Sequence, residues 1–264
     1  MLVCALGDLL LDVIVRLDSQ LNAGDDATAT TALSAGGQAA NVAAWAADLG
    51  ADARVVAKSG GDAAGELVRR ELRGRGVDVR GPEGERTGVV VSLVQPGGDR
   101  TMASDRGASP ELRADELDDA WFVCDALHLS GYSLMRAPIV DAATAAATIA
   151  RAHGAIVSAD LSSWTHIRAF GETMRAALNR IAPNVVFGNE REWETLGRFE
   201  APTVVLKRGR RGISVNGGDH DALPVAVVDT TGAGDALAAG FLVGGPQLAL
   251  ETAARCVAQV GAMP

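Results

Sequence analysis

Residues 126–159 read ALHLSGYSLMRAPIVDAATAAATIARAHGAIVSA. Ala126–Leu129 is a short apolar run, Pro138–Ala152 is Ala-rich with helical spacing, and Ala155–Ala159 is apolar again. A strand, a helix and a second strand within one such stretch form the unit from which parallel sheets are built. The pattern extends in both directions. Further strands are expected at Val185–Phe187, Val204–Leu206 and Ile213–Val215, and helices at His166–Arg180, Glu190–Leu196, Ala233–Leu242 and Leu248–Val260. Toward the N-terminus, strands are expected at Leu2–Leu6, Val13–Leu17 and Ala53–Ala57. The Gln38–Leu49 helix stops at Gly50, and Asp62 caps a helix running to about Arg73. The fold class is therefore α/β, with a mostly parallel central sheet flanked by helices. Ligands of such sheets bind beyond the carboxyl ends of the strands.

Two stretches break the alternation. Residues 16–36, and 87–104 with a turn at Gly97-Gly98-Asp99, are short, polar and β-like. They are read as a small β flap over that carboxyl edge. No linker divides the chain, so residues 1–264 are expected to form one domain carrying these two lid segments.

The composition is that of an ordinary globular chain, 48% hydrophobic and 22% charged. The net charge of −9 lacks the surplus of Lys and Arg that a sequence-independent grip on nucleic acid requires. It argues equally against an anionic membrane surface. Cys4, Cys124 and Cys256 are odd in number and widely spaced, with Cys4 and Cys124 in apolar, strand-like runs. They read as buried free thiols in a reducing compartment, which points to the cytoplasm. Asp8 breaks the apolar N-terminal run, so residues 1–11 read as a first strand and not as a leader.

The chemistry is concentrated in Asp229-Thr230-Thr231-Gly232-Ala233-Gly234-Asp235, followed by the apolar run Ala236–Phe241. Small residues at 232–234 allow a tight turn and close approach of a ligand. Helical spacing after them puts the amides of residues 232–235 at a helix N-terminus, where they can bind a phosphate. Asp235 stands in the first turn, as a base for an attacking hydroxyl should. The competing reading is structural, with Asp235 capping the helix and the glycines only turning the chain.

The Asp229–Asp235 segment resembles the second signature of the ribokinase-like (PfkB) carbohydrate kinases. Four other segments resemble family motifs in the same order. Gly36-Gly37-Gln38-Ala39-Ala40-Asn41 is similar to the first signature, and Gly7 with Asp12 to the sugar-binding motif of the first strand. Asn189-Glu190-Arg191-Glu192 is similar to the Asn-x-x-Glu motif, and Lys207–Gly212 to the nucleotide turn. The resemblance implies an enzyme that moves the γ-phosphate of ATP to a hydroxyl of a sugar-like molecule. A nucleoside kinase of the same fold, or a sugar- or nucleotide-sensing homologue without turnover, is the alternative. It implies Asp235 as base, with Gly232, Ala233 and Gly234 as the anion hole. Asp12, Gly36, Gly37 and Asn41 would hold the acceptor, while Asn189, Lys207, Gly209 and Gly212 would serve the nucleotide. Glu192 would hold Mg²⁺ through water, although Asn189 and Glu192 equally fit a capping box. Asp229 and Thr231 lie where relatives bind a monovalent cation such as K⁺, and Asp229 equally fits a loop anchor. The partners implied are ATP and a small sugar-like acceptor, with a homodimer formed through the lid.

Two departures stand out. Asp160-Leu161-Ser162-Ser163-Trp164 lacks the Asn and Arg of the family's Asp-x-Asn-x-Arg segment. The stretch 193–203 is short, so the expected adenine groove is either more open or completed by the C-terminal segment.

Overall fold

The computed structural model describes residues 1–97 and 100–264. The chain begins with β1 (Leu2–Leu6), β2 (Leu10–Leu17), β3 (Ala29–Gly36), α1 (Gln38–Asp48), β4 (Asp52–Val56), β5 (Ser59–Gly60) and α2 (Ala63–Gly74). It continues through β6 (Val77–Arg80), β7 (Glu83–Gly84), β8 (Thr87–Val94), β9 (Arg100–Gly107), β10 (Ala126–Leu129), α3 (Ile139–Ala152), β11 (Ile156–Asp160) and α4 (Trp164–Ile181). It closes with β12 (Val185–Asn189), α5 (Glu190–Leu196), β13 (Thr203–Lys207), β14 (Ile213–Val215), β15 (Gly218–His220) and α6 (Ala233–Val257).

Nine strands form the central sheet in the order β15-β14-β13-β12-β11-β10-β1-β4-β6. Pairing is parallel from β13 to β6, and antiparallel only at β13–β14 and β14–β15. Successive side chains of a strand point to opposite faces. Val3 and Ala5 of β1 accordingly pack with Trp45 and Leu237 in one layer, while Cys4 and Leu6 pack with Ile139 and Leu178 in the other. Burial on both faces explains why these strands are nearly continuous in apolar residues. Where α1 meets α6, both helices present mostly alanine, at Ala39, Ala43, Ala236 and Ala239 among others. Trp45 of α1 donates its indole N–H to the Ala262 carbonyl at 2.8 Å, which ties the segment after α6 to the first helix.

A second sheet, in the order β3-β2-β8-β9, is built from the two stretches that break the α/β alternation. It is larger than expected. The first strand starts at Leu10, not Val13, and β9 runs on through Asp105 and Arg106 to Gly107. Asp12 pairs with Ser34 on one side and Val90 on the other, so the polar residue that suggested a strand break lies within one. Gly98 and Asp99 of the expected turn lie outside the described residues.

Other boundaries also move. The two helices expected at 233–242 and 248–260 are halves of α6, joined across non-helical Gly244 and Gly245 just before Pro246, and α6 ends at Val257. The short strands β6 and β15 were not expected. Cys124 lies in a bend and not in a strand, although all three thiols are buried and free as expected. Among the described residues, no helix is long and apolar enough to cross a membrane.

Candidate active site

The carboxyl ends of β13, β12, β11, β10 and β1 form a row that carries Lys207, Asn189, Asp160, Ser130 and Gly7 in that order. The α6 N-terminus faces this row. Gly232 precedes the helix at φ 75°, in the left-handed region, and a Cβ there would lie 2.6 Å from the Ala262 carbonyl oxygen. Glycine is therefore required both by conformation and by space. Asp229 holds the approach to the turn: Oδ1 accepts from the Thr231 N–H at 2.9 Å and from its hydroxyl at 2.5 Å, while Oδ2 accepts from the Gly261 N–H at 3.1 Å. The Ala233 N–H meets the Thr230 carbonyl at 3.3 Å, and the first-turn amides of α6 have no carbonyl of their own helix to meet.

Asp235 extends from that first turn to α1. Its Oδ2 accepts from Asn41 Nδ2 at 2.7 Å. The residue is half-buried by surface area, yet its carboxyl is surrounded by protein. Burial pushes its pKa up to about 7; the Asn41 hydrogen bond and Lys207 pull against this, and the Asp160 charge adds to it. A carboxyl poised near neutrality suits a general base. Asn41 is almost fully buried, and its Oδ1 has no hydrogen-bond partner among the described residues. A buried acceptor left unmatched in the protein is a place for a ligand donor such as a hydroxyl.

Gly36 and Gly37 bring the second sheet down onto this point. A Cβ on Gly37, at φ 101°, would lie 2.3 Å from the Asp8 carbonyl oxygen. A Cβ on Gly36 would lie 2.3 Å from the Asp12 carboxyl carbon, so that carboxylate rests directly on the glycine backbone. A cavity of about 560 Å³ runs from Asp12 and Ser34 to Asp229, Thr230 and Thr231, stopping short of Asp235.

Lys207 ends β13 and lies beside the N-terminus of α6. Its Nζ donates to Asp160 at 2.7 and 3.0 Å, and lies 3.4 Å from where a Cβ on Gly234 would be. Glu192 Oε2 is 3.9 Å away. Burial works against the ammonium charge, but the Asp160 and Glu192 carboxylates outweigh it and hold the pKa above the ordinary lysine value. Lys207 is followed along the chain by Gly209 and Gly212. Those two glycines shape the β13–β14 connection at φ 56° and 81°, where Arg208 N–H meets the Gly212 carbonyl at 2.9 Å. Of the two readings of the Asn189–Glu192 pair, the capping box is present in the structure. Asn189 Oδ1 accepts from the Glu192 N–H at 2.9 Å and Glu192 Oε2 accepts from the Asn189 N–H at 2.8 Å, a complete capping box. Burial raises the Glu192 pKa, with Lys207 opposing.

Sequence reasoning missed a polar brace beside Asp235. Gln38 Oε1 accepts from Ser130 and Ser162 hydroxyls, both at 2.6 Å, and the Gln38 side chain helps to pull the Asp235 pKa down. Asp160, the buried partner of Lys207, was seen only as part of a departing segment. Its signal was its place at the carboxyl end of a strand.

A hydroxyl can be held against Asp235 and Asn41 while a phosphoryl group rests on helix amides and Lys207, and this geometry defines a phosphotransferase with an alcohol acceptor. The comparisons agree with it. A family model described as pfkB family carbohydrate kinase matches residues 1–263, and the chain belongs to that family. It is a carbohydrate kinase that moves a phosphoryl group from ATP to a sugar hydroxyl. The chain is 33% identical to the ATP-dependent ribose-1-phosphate kinase of Halopiger xanaduensis, over 93% of this chain and 86% of that one. The adenosine kinase of Sinorhizobium meliloti superimposes with a TM-score of 0.85 at 26% identity, covering 99% of this chain and 95% of the other. An uncharacterized sugar kinase from Pyrococcus horikoshii in complex with ATP has the same fold, with a TM-score of 0.84 at 22% identity and coverage of 99% and 95%.

Proposed function

We propose that Asp235 takes the proton of the acceptor hydroxyl as that oxygen bonds to the γ-phosphorus and the bond to the ADP oxygen breaks. The observation that carries this reading is the Asp235 carboxylate, held by Asn41 at 2.7 Å in the first turn of α6. Amides of Gly232, Ala233 and Gly234 bind the transferring group, where the helix field favours negative charge. Lys207 neutralises charge on the phosphates from the opposite side. Asp12, Asn41 and the backbone at Gly36 and Gly37 hold the acceptor, and the second sheet acts as a lid that excludes water.

Gly209 and Gly212 shape the nucleotide turn. Magnesium keeps most of its own waters and takes few protein ligands. The buried Glu192 carboxylate has one oxygen committed to the capping box and the other left to meet such waters, so the residues fit the ion. Mg²⁺ would supply charge neutralisation and orientation of the ATP phosphates. Both oxygens of Asp229 already accept protein donors, and a monovalent cation such as K⁺ would have to share them. We therefore assign Asp229 and Thr231 to holding the loop. The exposed strand β3 is open to pairing with a second copy of the chain.

Mg·ATP should release ADP only with an acceptor, tested across neutral sugars, sugar acids, sugar phosphates and nucleosides. In Asp12→Ala the acceptor KM is expected to rise by about tenfold or more while the ATP KM holds. Loss of ATP affinity with an unchanged acceptor KM would place Asp12 elsewhere, and ADP release from nucleosides alone would move the reading to a nucleoside kinase.

The base also sets a pH dependence. Because Asp235 titrates at about 7, acceptor kcat/KM should fall tenfold per unit as pH drops below that value. A profile flat to about pH 5, near the ordinary carboxylate range, would exclude this carboxyl as the titrating base.

A further inference from the structure

Outside the residues used above, one cluster at the acceptor end has no part in the transfer. Arg106, near the end of β9, donates from Nε and Nη2 to Asp8 at 2.8 and 2.6 Å. Asp8 is only 3% exposed, so the guanidinium is fixed in place. Its Cζ lies 5.6 Å from the Tyr132 ring centroid, and Tyr132 meets the His166 ring edge-on at 5.3 Å. Ser163 Oγ is 3.0 Å from His166 Nδ1. Arg136 stacks over Phe170 at 4.4 Å and, among the described residues, has no carboxylate within ion-pair distance.

These groups bear on one spot. Burial lowers the His166 pKa, and the charges of Arg106 and Arg136 both add to the shift. Burial raises the Tyr132 pKa, a Ser163 hydrogen bond opposes it, and the Asp235 and Asp8 carboxylates add to it. Tyr132 thus lies between the Arg106 guanidinium and the His166 ring, in contact with both. Strand order places the cluster on the acceptor side. It sits over β1, β10 and β11 and under the last strand of the second sheet, whereas the nucleotide turn follows β13.

Among the described residues, the two guanidinium groups have one carboxylate, Asp8, within ion-pair distance, in a chain whose net charge is −9. A neutral sugar offers nothing to match that excess. Arginine forks are the usual partners of phosphate and carboxylate, and a guanidinium stacked on an aromatic ring is oriented at little further cost in entropy. We infer that Arg106, Arg136, Tyr132 and His166 form an anion subsite for a phosphate or carboxylate carried by the acceptor sugar away from its reacting hydroxyl. The inference rests on the reading of Asp235 as the acceptor's base, and names the substrate class of that site.

The test is calorimetric titration of wild type, Arg136→Gln and Arg136→Lys without ATP. The probes are ribose 1-phosphate, ribose 5-phosphate, gluconate and ribose, each repeated as an acceptor in the ADP-release assay. Wild type is expected to bind a phosphorylated or acidic probe at least tenfold more tightly than ribose, and the better series separates phosphate from carboxylate. Arg136→Gln should weaken that probe by about 10- to 100-fold, narrowing its advantage over ribose, with Arg136→Lys intermediate. Equal affinity for charged and neutral probes, or equal losses for both in Arg136→Gln, would overturn the subsite. Turnover of neutral sugars alone would also overturn it while sparing the kinase reading. Arg136-dependent anion binding without ADP release would uphold the subsite and remove the transfer reading.

Discussion

Asp235→Asn should lose about 10²- to 10⁴-fold in kcat, with ATP binding retained, because the variant keeps the shape of the site and removes only its proton acceptor. The Asn41 contact at 2.7 Å can be made by an amide oxygen as well as by a carboxylate oxygen. Stability should not fall. The folded carboxyl titrates at about 7, above its ordinary value of 3.8, so the fold prefers the neutral acid. That preference contributes stability fully below the ordinary pKa, and the contribution is lost as pH rises through about 7. At pH 8 the native protein therefore carries an unfavourably buried charge that Asn lacks. Thermal melts at that pH should show the variant equal to or above wild type. ADP release at the wild-type rate would end the assignment of Asp235 as base, and a large loss of melting temperature would assign it to structure.

Lys207→Met should damage both stability and transfer. Asp160 is 1% exposed and accepts from this ammonium at 2.7 and 3.0 Å, its other short contact being the Ser162 N–H at 2.7 Å. Removing one partner of a buried pair leaves the other charge uncompensated, typically at about 3–5 kcal/mol. Transfer should fall by about 10²- to 10³-fold, the scale seen when a preorganised stabiliser of developing charge is deleted. The combined variant Lys207→Met with Asp160→Asn separates the effects. It should regain most of the lost melting temperature, because neither partner is then left charged and alone, but not the rate. Recovery of rate along with stability would show that Lys207 only holds the fold together.

Much of this was legible in the chain, for reasons that also mark where legibility ends. The 126–159 stretch is readable because each piece of the strand–helix–strand unit buries a continuous apolar surface. The turn before α6 is readable because glycine is demanded at Gly232 by geometry. The second sheet was underread at its functional ends. Asp12 interrupts the apolar pattern of β2, and Ser104-Asp105-Arg106-Gly107 has none to show. Local rules fail where polar residues stand inside a strand without an apolar face to bury. The brace from Gln38 to Ser130 and Ser162 was hidden differently, since its members are 92 and 124 positions apart and each is an ordinary polar residue. Asp160 and Lys207, 47 positions apart, become a pair only when β11 and β13 flank β12.

The link between the first and last helices also governs when the enzyme comes into being. The base and its amide partner are 194 residues apart, and the Trp45 indole waits on a carbonyl 217 positions downstream. Contacts of such separation close late in folding, because loop entropy is paid before they give any return. A chain emerging from the ribosome can build the β1-to-α1 region early. It has neither the Asp235 carboxyl nor the amides of the turn before it until α6 and the segment through Ala262 have been made. On the role proposed for Asp235, a half-made chain cannot hydrolyse ATP through this site, and activity arrives with the docking of the last helix.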